Sequence, residues 1–181
     1  MTFDPTSLRR IVDGFDTLLT RAKLRALAEV GDDVSFEGKM WIHGGGRLKI
    51  GDRVRFEGGA FGIELQIDPR AELVIGNDVV IGAATSIEAF QRIVLGDGCR
   101  VGAFCKILDN HLHVLRGNRH IRPPSVPVTV EANVVLEDYA VLLPGAMIGA
   151  GACIGRGAVV SRRIPPGARV KPQQVHPSRE C

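Results

Sequence analysis

Residues 128–160 run Val128-Thr-Val-Glu-Ala-Asn-Val-Val-Leu-Glu-Asp-Tyr-Ala-Val-Leu-Leu-Pro-Gly-Ala-Met-Ile-Gly-Ala-Gly-Ala-Cys-Ile-Gly-Arg-Gly-Ala-Val-Val160. One spacing governs them: Val130, Leu136, Leu142, Ile148, Ile154 and Val160 recur every six residues. A period of six fits neither a helix, at about 3.6 residues per turn, nor a strand with two plain faces. It fits a triangular coil in which each short strand sends an aliphatic side chain inward before the chain turns a corner. Ile75, Ile81 and Ile87 keep the same spacing, as do Leu95, Val101 and Ile107.

A longer unit lies over this one. The stretches Leu48–Phe56, Leu73–Ile81, Ile93–Val101 and Val128–Leu136 align, and Ala28–Phe36 aligns as a first copy. In each, an aliphatic residue followed by Gly, or by Glu131 in the fourth stretch, is succeeded by another apolar residue six positions on. Internal repetition of this kind marks a solenoid. Three sixes make a coil of roughly 18 residues, and Ile50, Ile75 and Leu95 stand somewhat further apart. Longer corners, such as Ile42 to Arg47, are expected to absorb the excess. Gly at corners admits positive φ.

Composition agrees. Of 181 residues 45% are hydrophobic but only 5% aromatic, and 22 are Gly, so the core must be built from small and β-branched side chains. The length suits one domain. A net charge of +3 is too small to argue for a nucleic-acid partner, and a polyanionic small ligand would account for it. Cys99, Cys105, Cys153 and Cys181 form no CxxC pair, so neither a metal site nor a disulfide framework is expected. Cys99 and Cys105 fall inside the repeat and read as core filler. Met1–Arg10 lacks a secretory pattern, and no run nears 18 apolar residues. The expectation is a soluble, cytoplasmic protein with no membrane partner.

Residues 1–27 read as a helical cap. Leu8, Ile11, Val12, Phe15, Leu18 and Leu19 share one helical stripe after a start signal at Asp4-Pro5-Thr6. Such a cap would plug the open first coil. The β-helix is expected over 28–172, with a tail at 173–181.

The rhythm breaks once, over 108–127: Leu108-Asp-Asn-His-Leu-His-Val-Leu-Arg-Gly-Asn-Arg-His-Ile-Arg-Pro-Pro-Ser-Val-Pro127. Three of the five His lie here. A loop expelled from a regular scaffold is where chemistry commonly sits. Arg116, Arg119 and Arg122 suit a solvated basic loop as well as a binding site, and His43 and His176 read as surface residues.

These features together resemble the hexapeptide-repeat, left-handed β-helix acyltransferases. Ile107-Leu108-Asp109, then His113, then a long loop closing on Pro-Val, is similar to the active-site segment of the maltose- and galactoside-type sugar O-acetyltransferases. The resemblance implies left-handedness, His113 as general base, and acetyl-CoA as acyl donor with a sugar hydroxyl or amino group as acceptor. It also implies a homotrimer with sites between subunits. A His suits a base because its ordinary pKa, about 6.5, lies near working pH. Asp109, or Glu88 about one coil earlier, would orient the imidazole, and His111 is the alternative base. The γ-carbonic anhydrases share the fold, but their metal histidines follow other spacings, so no metal is expected.

The segment Leu143–Pro166 resembles the same family's donor site. Ser161 and Arg162 match the Ser/Thr-Lys pair near the nucleotide end, with Arg163 beside them. A guanidinium suits phosphate through its paired donors. The pattern departs at Val135-Leu136-Glu137-Asp138, where the family has Trp-Ile-Gly and a small residue. It departs again at Arg156, one coil after Asp138. Both positions are expected beside the donor groove, where an Asp138–Arg156 pair could form. Val170-Lys-Pro-Gln-Gln174 replaces the family's terminal Gly-Asn-Pro-Ala element. Two other classes remain open from the sequence: a non-catalytic β-helix used for binding or assembly, and a metalloenzyme like the γ-carbonic anhydrases.

Overall fold

Short strands that alternate inward and outward residues, separated by tight corners, wind the chain into a three-sided solenoid. The computed structural model describes residues 28–112 and 122–172. The first face stacks Ala28–Val30, Arg47–Ile50, Glu72–Ile75, Arg92–Leu95, Val128–Val130, Met147–Ile148 and Arg163–Ile164, in that order and all parallel. The second face carries Val80–Gly82, Arg100–Val101, Val135–Leu136, Cys153–Ile154 and Arg169–Val170. The third carries Ser86–Ala89, Lys106–Leu108, Val141–Leu142 and Val159–Val160. Ser35–Gly44 and Arg55–Ile67 run through the corner between the second and third faces and belong to both. The architecture is the expected all-β, left-handed parallel β-helix, and Ala28–Val30 begins it by pairing with Leu48–Ile50. The expected N-terminal helix, the tail at 173–181, Cys181 and His176 lie outside the described residues.

Each side sends two residues inward. The aliphatic residue of the six-residue series is one; the residue two places earlier is the other. Ala140, Ala146, Ala152 and Ala158 are as buried as Leu142, Ile148, Ile154 and Val160. The earlier position holds small residues on these later coils, whereas on the first face it takes the larger Leu48, Leu73 and Ile93, all buried. Cys99 and Cys105 occupy it, two residues before Val101 and Ile107, and are the expected core filler.

Burial pushes the Cys105 thiol up to about 11 and raises that of Cys99. Desolvation penalises the thiolate. A thiol pKa raised on folding contributes stability that is complete below the ordinary value of about 8.5 and is lost as pH climbs toward the folded value. Folded protein at pH 8 should therefore leave Cys99 and Cys105 unmodified by iodoacetamide, whereas urea-unfolded protein reacts at both. Rapid labelling of both thiols in the folded protein, read by mass spectrometry, would overturn this.

The long corners fall partly where the sequence placed them. Ile42 is in register with Leu65, and the strand Ser35–Gly44 is followed by a corner that returns at Arg47. More of the excess sits in the second coil, at Gly58–Gly62, where the pairing shifts register between Glu37 and Met40. The break opens one residue later than the pattern implied. Leu108 remains in its strand because it pairs with Glu88 and is buried under the loop base. At the corners between first and second faces, side-chain oxygens tie one coil to the next. Asp52 Oδ1 accepts from the Asp32 N–H (2.8 Å), Asn77 Oδ1 from Asp52 (2.8 Å), and Asp97 Oδ1 from Asn77 (2.7 Å).

Candidate active site

The break lies on the edge between the third and first faces. Regular coils turn this edge in a few residues, as at Phe90-Gln91 and Ser161-Arg162. After Leu108 the chain instead leaves the solenoid and returns at Val128. Its two feet are pinned together. Asn110 is buried; its Nδ2 donates to the Pro123 carbonyl (2.8 Å) and to Ser125 Oγ (2.9 Å), while its Oδ1 accepts from the Leu112 N–H (2.6 Å). The Val126 N–H donates to the Asp109 carbonyl, and the Gly145 N–H to the Val126 carbonyl.

Asp109 has no exposed surface. Its Oδ1 accepts from the Phe90 N–H (2.7 Å), and its Oδ2 from Gln91 (2.8 Å) and Arg92 (2.7 Å). The residue read from the sequence as orienting a base thus does a structural job: it closes the corner one coil below.

The returning limb lies back along the edge. Arg122 Nη1 reaches Asp68 Oδ2 (3.4 Å), and its guanidinium sits 4.5 Å above the Phe90 ring, a cation–π contact. Residues 122–126 therefore descend from the corner at Gly145 past Phe90 to Asp68. Arg122 is an anchor and not a free basic residue. Asp68 and Arg122 stand far apart in sequence, and no pattern there links them.

Of the expected catalytic residues, His113 lies outside the described residues. His111 is exposed where the loop leaves the edge, and Leu112 turns with φ 64°. Glu88 points outward from the third face in register with Leu108, at the foot of the loop. Its carboxylate is mostly buried, pairs with Lys106 Nζ at 2.8 Å and accepts from Ser86 Oγ at 3.3 Å. His43 is on the surface, 3.6 Å from Glu64.

The five expected donor-site residues do not form one cluster in a single chain. Ser161 and Arg162 are exposed on the loop's own edge, further along the axis, with Arg163 starting the next first-face strand. Asp138 and Arg156 lie across the third face, at its corner with the second. They do pair there, Nη2 to Oδ2 at 3.0 Å. Beside them opens a cavity of about 350 Å³ lined by Val80, Arg100, Val135, Glu137 and Asp138, with Arg156 at its rim. Glu137 is held below the usual carboxylate range, first by the Arg156 backbone N–H (3.0 Å) and then by Cys153 and Arg169. Among the described residues no three His, Cys, Asp or Glu side chains converge as a metal site, and no helix is long and apolar enough to cross a membrane.

Residues 127–162 match the bacterial transferase hexapeptide family (six repeats). No curated protein matches the sequence. Among solved structures the chain is similar to AntD, an N-acyltransferase from Bacillus cereus. A point mutant of that protein in complex with dTDP and coenzyme A aligns with TM-score 0.67 at 18% identity, over 81% of this chain and 80% of that one. AntD with dTDP and 3-hydroxybutyryl-CoA aligns with TM-score 0.66 at 17% identity, over 81% and 80%. The hexapeptide-repeat acetyltransferase VCA0836 from Vibrio cholerae O1 biovar eltor, complexed with acetyl-CoA, gives 0.58 at 19%, over 85% and 72%. The class is a left-handed β-helix of hexapeptide repeats. Within it, the coils from Pro127 to Arg162 carry the repeat of the bacterial hexapeptide transferases.

Proposed function

We propose that this protein transfers an acyl group from acyl-CoA, most simply acetyl-CoA, to a hydroxyl or amino group of a sugar or similar small acceptor. The observation that carries the reading is the single loop, pinned at both feet by Asp109, Asn110 and Arg122 to the edge that also presents Ser161 and Arg162. The feet of the loop and the Ser161-Arg162 pair thus share one rigid edge, which supports a reading in which the loop supplies the base and the pair meets the donor's phosphates. His113 removes the proton from the acceptor, whose oxygen or nitrogen attacks the thioester carbonyl. The tetrahedral intermediate collapses with loss of the coenzyme A thiolate, which takes up the proton. No covalent enzyme intermediate is needed, and much of the rate comes from holding the two reactants together. Glu88, paired with Lys106 and in register with Leu108 where the loop leaves its strand, is the better candidate for orienting the imidazole, since the Asp109 carboxylate is engaged by backbone.

The division of donor residues between two edges supports the homotrimer. In a cyclic assembly the contacts are head-to-tail, so different surfaces of neighbouring copies meet. Ser161, Arg162 and Arg163 of one copy and Asp138 and Arg156 of the next can then line one groove. The AntD structures, with both coenzyme A and a dTDP ligand, favour a nucleotide-linked sugar as acceptor. The non-catalytic reading has one observation in its favour: Glu137, Asp138 and Arg156, which stand where the family keeps small residues, are tied up in ion pairs at the corner beside the second face.

Isothermal titration with acetyl-CoA and with coenzyme A tests the donor. Micromolar binding is expected, weakened about tenfold or more in Arg162→Ala, since a charge-assisted phosphate contact contributes roughly 1.5–3 kcal/mol. No binding at millimolar ligand would turn the reading to the assembly module.

A further inference from the structure

Three aromatic rings form a ladder on the corner between the second and third faces. Phe61 and Phe104 have ring centroids 5.5 Å apart, and Phe104 and Tyr139 5.0 Å, the latter pair nearly parallel at 10°. All three are well exposed; half of Tyr139 faces solvent. Phe104 and Tyr139 hold φ values of 58° and 62°, a conformation that bulky residues rarely adopt. Gly157 takes the same turn one coil further on, with φ 70°. A solvated turn is served by Gly, whereas aromatic rings there cost both strain and exposed apolar surface. The mutual stacking offsets part of that cost but leaves the outer face of Tyr139 bare.

The next rung is empty. A side chain on Gly157 would meet nothing within 4 Å. The slot above Tyr139 therefore has the spacing of one more ring in the stack. Its neighbours in the chain define the rest of a ligand. Asp138 precedes Tyr139 and Arg156 precedes Gly157, and both border the 350 Å³ cavity. Two guanidiniums, on Arg100 and Arg156, line it with two carboxylates, on Glu137 and Asp138, and Arg169 engages Glu137 at 2.8 Å. Arg100 has no ion pair among the described residues, and Arg156 uses only Nη2 on Asp138.

We propose that the corner binds a nucleotide, its base stacked on Tyr139 over Gly157 and its phosphates directed to Arg100 and Arg156 in the adjoining cavity. A planar ring with an anionic tail matches both halves of the site, and base–aromatic stacking tolerates any base. The site shares Arg156 with the proposed donor groove and to that extent rests on that reading; the base comes either from coenzyme A or from a nucleotide-borne acceptor, and the titrations separate the two.

Tyr139 is the chain's single tyrosine, so its ring protons report this site alone by NMR. ADP, coenzyme A and dTDP are each titrated, with affinities measured by calorimetry for the native chain, Tyr139→Phe, Tyr139→Ala and Gly157→Phe. At least one nucleotide is expected to shift the Tyr139 signals upfield. Tyr139→Phe keeps that affinity, Tyr139→Ala loses about tenfold, and Gly157→Phe, which fills the rung, abolishes binding. If Gly157→Phe does not fold, the Phe and Ala variants at Tyr139 still decide. Coenzyme A binding that is indifferent to all three substitutions overturns the nucleotide site while leaving the acyl-CoA reading intact. Tyr139-dependent binding of dTDP or ADP without any coenzyme A binding does the reverse. Silence of Tyr139 toward all three nucleotides overturns the site, as does a Gly157→Phe effect confined to oligomeric state in sedimentation, which would make the ladder a protein contact.

Discussion

His113→Ala is expected to bind acetyl-CoA as the native chain does and to lose acyl transfer by about a hundred- to ten-thousandfold, the range that a positioned general base supplies. The reason is chemical. A sugar hydroxyl is a poor nucleophile at neutral pH, and attack on the thioester makes it strongly acidic. A base within hydrogen-bond reach takes that proton as the new bond forms; water replaces it poorly. His111→Ala is the paired control. His111 leaves the edge beside Asn110, exposed and two residues from His113, so the sequence left the two as alternatives. Acceptor-dependent release of free coenzyme A thiol, followed across sugars, amino sugars and their nucleotide derivatives, reads both variants. Collapse in His111→Ala with His113→Ala unaffected would move the base to His111. Near-native transfer in both would remove the loop from the chemistry altogether.

The fold was legible because its signal is arithmetic. Six-residue spacing of aliphatic residues survives any drift in the residues between, and all members from Val130 to Val160 are buried. The second inward series, Ala140 to Ala158, was equally present, but Ala and Gly are common at turns for other reasons and do not announce a core. The loop was legible as a break in the count. Its anchoring was not: the resemblance of Ile107-Leu108-Asp109 and His113 to an active-site segment points Asp109 at the chemistry, and only the burial of its carboxylate against three backbone N–H groups ties it to the corner. The Asp138–Arg156 pair could be foreseen from their separation by one coil, since residues a coil apart stack. That Ser161 and Asp138 occupy different edges also follows from the count, because the two stand on opposite sides of a third-face strand. The aromatic ladder carried no such signal. Phe61, Phe104 and Tyr139 are unevenly spaced, and their alignment depends on the extra residues at Gly58–Gly62 and on the loop itself.

Asp109→Ala is expected to destabilise the folded chain by about 3 kcal/mol or more, the largest stability effect among single substitutions at the site. A buried backbone N–H left without an acceptor costs about 1–3 kcal/mol, and this carboxylate serves three of them, on Phe90, Gln91 and Arg92. The cavity left by the side chain is small, and water reaching it can satisfy only part of the demand. Asp109→Asn keeps the shape but turns an amide group toward an N–H donor, so it should fall between the native chain and Ala. Asn110→Ala separates corner from loop: it unties Pro123, Ser125 and Leu112 while the carboxylate stays in place, and should cost less. Urea unfolding at one fixed protein concentration measures all three, since assembly would otherwise shift the midpoint. The order expected is Ala at 109 below Asn at 109, with Asn110→Ala nearest the native chain. A loss under about 1 kcal/mol for Asp109→Ala would mean that the corner at 90–92 holds without its acceptor. The carboxylate would then be free for the imidazole after all, and His113 transfer rates in Asp109→Asn would become the measure of that role.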